Sequence, residues 1–138
     1  MKDLNAADAT IVKTIFLKAP PETVWAHLTE ADKLGVWFHA AAADLSEGED
    51  YQLLDSKGEK LCWGRVTRME APHRLSYTFT VGMFEGAVTD VDWTLEPVHG
   101  GTRLSLVHTG LPQGEDGFGL LTAFDAGWDK HLLKLREA

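Results

Sequence analysis

The stretch GEDGFGLLTAFDAGWDKHLLKLRE, residues 114–137, decides the fold. Stepped at about 100° per residue from Trp128, Leu121, Phe124, Leu132 and Leu135 fall within roughly 40° of it. That stripe predicts one long amphipathic helix with a face wide enough to cover a core. Asp129, Lys130, Lys134 and Arg136 lie off the stripe. Asp125 and His131 stand at its borders, roughly 60° to either side. Gly119 and Gly127 cost about 1 kcal/mol each in helix propensity, and close approach of backbone or bulky side chains is the expected reason for them. The aromatics read as core, or as the lid of a cavity with Asp125 and His131 as its polar rim. What lies upstream decides between the two.

Upstream the pattern is short helices, then strands. Thr10 to Lys18 (TIVKTIFLK) is β-branched and aromatic, a strand stopped by Pro20-Pro21. Pro21-Glu22-Thr23 opens a short helix whose buried face is Val24, Trp25 and Leu28. Thr29 followed by Asp32 predicts a capped restart into a second short helix, to about Phe38, presenting Leu34, Trp37 and Phe38. From Ala40 to Thr109 strands alternate with turns. Ala42 to Leu45 reads as a weak strand, and Asp50 to Leu54 pairs with Lys60 to Met69 across Asp55-Ser56-Lys57-Gly58. Gly82 to Gly86 reads as a loop. Alternation points Leu75, Tyr77 and Phe79, Val91, Trp93 and Leu95, and Leu104, Leu106 and His108 to one face. That face needs a cover, and the long helix is the one element large enough. The reading is therefore α+β: a curved antiparallel sheet of six or seven strands around a long C-terminal helix, with two short helices after the first strand. At 138 residues the chain is expected to be one domain, with Met1 to Ala9 frayed.

Charge excludes some partners. The net charge of −8 argues against a nucleic-acid backbone and an anionic membrane surface. A single cysteine, Cys62, rules out an internal disulfide and a thiolate metal cluster. The absence of a leader-like or membrane-length apolar run points to a cytoplasmic protein.

Short motifs recur in one order: Ala19-Pro20-Pro21-Glu22-Thr23-Val24-Trp25, Leu28-Thr29, Trp37-Phe38, Gly64-Arg65-Val66, Pro72-His73-Arg74-Leu75 and Val91-Asp92-Trp93-Thr94-Leu95-Glu96-Pro97. Gly101-Thr102-Arg103-Leu104, His108-Thr109-Gly110-Leu111 and Gly127-Trp128 complete them. In this order the chain resembles the SRPBCC superfamily, the helix-grip fold of START domains and the birch-pollen allergen. Within it, the chain is most similar to the activator of heat-shock protein 90 ATPase homologue family, over about residues 10–136. Gly48-Glu49 stands where that family often has a Gly-Gly pair. The resemblance implies a hydrophobic cavity between sheet and long helix, closed partly by the two short helices. The family name also carries a chaperone contact and a stress role, which nothing in the residues themselves supports.

The candidate ligand-binding residues are Trp37, Tyr77, Phe79, Trp93, His108, Phe124, Asp125 and Trp128. They predict a mostly apolar pocket with Tyr77 and His108 as polar tips, suited to a small hydrophobic or amphiphilic molecule. An inward His108 must be neutral or paired, and Asp125 or Asp129 is the expected carboxylate. Such a pair is open to acid–base work on a hydrophobic substrate or to a purely structural role. No residue is assigned a catalytic role. No metal and no cofactor are expected, since HExxH and paired-cysteine spacings are absent. Cys62 reads as a small buried strand residue, and Trp63 is ambiguous because a bulge would flip its parity. A homodimer is compatible with the sequence.

Overall fold

The computed structural model describes residues 9–81, 88–111 and 114–138. In chain order these form β1 (Ala9–Leu17), α1 (Pro21–Thr29), α2 (Ala31–Trp37), β2 (Asp50–Leu54), β3 (Lys60–Glu70), β4 (Arg74–Val81), β5 (Val88–Val98), β6 (Gly101–Leu111) and α3 (Gly114–Glu137). The strands make one antiparallel sheet in the order β1-β6-β5-β4-β3-β2. The expected frayed residues 1–8 and the expected loop at 82–86 lie outside the described residues; Ala9 itself opens β1.

The inward sets predicted from alternation are all buried, from Leu75 at 0% exposed to Tyr77 at 5%. Trp128, Leu132 and Leu135 of α3 are buried against them, with Leu121 and Phe124 partly so. Bulges interrupt the β1–β6, β2–β3 and β3–β4 pairings, and such extra residues bend and twist a sheet around its cover. The bulge in β3 falls after Val66, so Trp63 keeps the parity opposite to buried Cys62. Lys60 Nζ sits 4.5 Å from the centre of its ring.

Two glycines are required by close approach. A Cβ on Gly64 would stand 2.0 Å from the Thr78 carbonyl oxygen, and one on Gly101 would stand 1.9 Å from that of Leu17. Gly119 and Gly127 of α3 have no such reason: nothing described lies within 4 Å of a Cβ on either. This overturns the expectation that they admit bulky neighbours.

Two local expectations also fail. Thr29 does not cap α2. Its hydroxyl donates back to the Trp25 carbonyl at 2.9 Å, which closes α1 instead. Glu30 is the N-cap residue of α2, and the Ala31 N–H donates to Asp44 Oδ1 at 2.7 Å. Ala42 to Leu45 forms no strand; only Ala41 bridges to Leu53, with Ala42 N–H donating to the Gln52 carbonyl.

Candidate functional site

The inner face is organised by hydrogen bonds whose directions are fixed by chemistry. The Trp128 indole N–H can only donate, and it donates to His108 Nδ1 at 3.0 Å. The neutral ring must then carry its hydrogen on Nε2. Nε2 lies 2.8 Å from Thr89 Oγ1, and the Thr89 hydroxyl donates onward to the Phe79 carbonyl at 2.6 Å. This relay runs from α3 through β6 and β5 to β4 with each polar atom engaged. His108 is fully buried, and burial pushes its pKa down to about 4. Protonation would set a second N–H against that of Trp128, so the geometry itself holds the ring neutral.

The neighbouring tyrosines are arranged differently. Tyr51 donates to the Thr78 carbonyl at 2.6 Å. Tyr77 accepts from Trp93 Nε1 at 3.0 Å, and its own O–H hydrogen has no acceptor among the described residues. The two phenol rings meet edge-on at 5.1 Å, and burial raises both pKa values, so both stay protonated. Phe79 is central, with ring centres of Tyr77, His108, Phe124 and Trp128 all between 5.5 and 6.4 Å away.

Seven of the eight expected ligand-binding residues thus lie on or behind this face. Tyr77, Phe79, His108, Phe124 and Trp128 are brought together. Trp93 stands behind Tyr77, making an edge contact with Trp128 at 5.6 Å. Trp37 is plain core, 1% exposed, its indole N–H donating to the His27 carbonyl at 2.8 Å. Asp125 is displaced. Its side chain is 55% exposed and paired with Lys13 at 2.7 Å, and Asp129 pairs with the same ammonium at 2.9 Å. Of the two states expected of His108, neutral or paired with a carboxylate, the structure has the neutral one, and an inward-parity lysine on β1 holds both carboxylates at the rim. Those hydrogen bonds raise the Lys13 pKa. The Cys62 thiol, pushed up to about 12 by burial, is no nucleophile at neutral pH. Among the described residues no three His, Cys, Asp or Glu side chains gather as a metal set.

Sequence reading passed over Tyr51 and Thr89, although both share parity with inward neighbours, Leu53 and Val91. It also missed the contact between His39 and His131, whose ring centres lie 5.2 Å apart beside Phe38. His131 Nδ1 lies 3.3 Å from the Trp37 carbonyl. Burial lowers both pKa values, that of His131 to about 4. No periodic signal marks His39, which follows the end of α2.

A curved antiparallel sheet closed over one long helix, with an aromatic inner face, defines a helix-grip protein of the SRPBCC superfamily. The match to "Activator of Hsp90 ATPase homolog 1-like protein" spans residues 18–138, and the chain belongs to that family. Protein MLL2253 from Mesorhizobium loti is similar in structure, with a TM-score of 0.82 at 23% identity over 93% of this chain and 94% of that one. Protein BH1534 from Bacillus halodurans gives 0.77 at 26% identity over 93% and 94%. The Aha1 dimer from Colwellia psychrerythraea gives 0.78 at 21% identity over 94% of each chain. No curated protein matches the chain. No helix among the described residues is long and apolar enough to cross a membrane.

Proposed function

We propose that this protein binds a small apolar or aromatic molecule bearing one hydrogen-bond acceptor, held against the inner face at Tyr77, Phe79 and Phe124. The observation that carries this reading is the Tyr77 hydroxyl. It is buried, it accepts from Trp93, and its own hydrogen is unspent among the described residues. The Tyr77 oxygen already takes one bond, from Trp93, so a ligand carbonyl or hydroxyl would add a second, worth about 0.5–1.5 kcal/mol. His108 plays no acid–base part in this reading, since both its nitrogens are engaged and its expected carboxylates belong to Lys13. The acidic charge supports a partner other than nucleic acid, and the absence of a disulfide framework supports a cytoplasmic setting.

The test is a tryptophan-fluorescence titration with a ring ketone and its matched hydrocarbon. The ketone is expected to bind about fivefold more tightly, the worth of one neutral hydrogen bond. In Tyr77→Phe that preference disappears. A highly charged metabolite that quenches saturably while both ring compounds leave the emission unchanged contradicts the reading.

An interaction module is the second reading. Val12, Phe16 and Val88 are each at least 60% exposed on the outer sheet face, and the Colwellia relative is described as a dimer. Sedimentation at micromolar concentration decides whether this chain self-associates, and co-sedimentation with a chaperone tests the partner that the family name suggests.

A further inference from the structure

At the end of the sheet away from the tyrosines, a groove of about 600 Å³ lies between the end of β1, the β5–β6 turn and the last turn of α3. Lys18, His99 and Arg136 line it, and no carboxylate does. Elsewhere in this acidic chain Lys13, Lys33, Arg65, Arg68 and Arg103 each have an acidic partner, while Lys57, Lys60, Arg74, Lys130 and Lys134 have none among the described residues. What sets the groove apart is that two such cations share one concavity with no carboxylate in its lining. None of the three groove bases forms an ion pair among the described residues. Two apolar side chains also line it, Phe16 at 60% and Val98 at 38% exposed. The groove is held in shape by backbone. Gly101 packs directly on the Leu17 carbonyl, and the Thr102 hydroxyl donates to the Ala19 carbonyl at 2.7 Å. The turn carrying His99 is thereby fixed against the segment carrying Lys18.

We infer that this groove is a second binding site, distinct from the inner face, for a small organic anion that joins a carboxylate to an apolar ring or short alkyl chain. Lys18 and Arg136 hold the carboxylate by charge-assisted hydrogen bonds, and Phe16 and Val98 cover the apolar part. The volume is that of a site for one small ligand. A second copy of this chain, itself at −8, is a poor occupant, because the charge that fills the groove would come with general repulsion.

The experiment is an amide NMR titration of the whole protein with phenylbutyrate, phenylbutanol and acetate. Phenylbutyrate is expected to shift the amides of Lys18, His99 and Gly101 saturably. The neutral alcohol and acetate should each bind at least about tenfold more weakly, because each lacks one half of the recognition. The Lys18→Gln, Arg136→Gln double variant should lose a similar factor while its melting temperature holds, since both side chains are exposed. Equal binding of the alcohol, or of phenylbutyrate to the variant, overturns the inference. Shifts confined to Tyr77, Phe79 and His108 also overturn it and leave the inner-face reading standing. Shifts at Lys18 and His99 produced by an acidic peptide and not by phenylbutyrate overturn it in favour of a protein-docking surface.

Discussion

On the inner face most polar side chains spend every hydrogen bond within the fold, while the Tyr77 hydroxyl hydrogen has no acceptor among the described residues. His108 is among the former, and its chemistry gives a pH dependence with a definite sign. Its folded pKa, about 4, lies below the ordinary 6.5. Between those values the unfolded chain binds a proton that the folded chain refuses. Stability is therefore full above about pH 6.5 and falls as pH drops toward 4, with a loss of about 3 kcal/mol from His108. His131 adds to the same trend, lowered by burial and by the nearby His39. Urea denaturation at neutral and acid pH should show a clearly shallower slope in His108→Gln than in the natural chain, and parallel slopes would contradict the relay. Trp128→Ala empties a site only 2% exposed and removes the donor to His108, so a loss of about 3–5 kcal/mol is expected in urea. A loss below about 1 kcal/mol would place Trp128 beside open space rather than in core.

Elements show what periodicity can and cannot reveal. The α3 stripe and the three inward triplets were legible because each needs only a period and one buried side. Parity also held His108 inward. It could not name its partners, because Trp128 and Thr89 meet it through the register of two other elements, α3 and β5. Asp125 was misplaced for a related reason. A border position on a helix faces whatever the next layer offers, and β1 offers Lys13. Thr29 shows two local rules in competition, where a hydroxyl can cap the next helix or bond back four residues, and the second won. Glycine substitutions separate the two kinds of glycine. Gly101→Ala should cost about 2–3 kcal/mol in thermal or urea unfolding, since the new methyl meets backbone. Gly127→Ala should stabilise by about 0.5–1 kcal/mol, since its site is open and the helix gains propensity. A destabilised Gly127→Ala would mean that α3 packs more tightly there than the structure shows. Lys13→Ala should cost about 1 kcal/mol at low salt and less at high salt, because both its carboxylate partners are more than half exposed.

The whole molecule is a sheet that closes on one helix through a saturated polar relay, beside a tyrosine whose hydroxyl hydrogen has no acceptor among the described residues. The resemblance read from short motifs gave the fold, and the family match over residues 18–138 supports it. The ligand was not legible, because neither fold nor family specifies which polar atoms of the inner face stay free. The most direct measurement is an isotope-filtered NOE experiment on the complex with a ring ketone. Contacts from the ligand to the rings of Tyr77, Phe79 and Phe124 are predicted, with a Tyr77 hydroxyl proton slowed in exchange. Contacts only to outer-face residues such as Val12 and Val88, or a Tyr77 hydroxyl unchanged by saturating ligand, would contradict the proposed function.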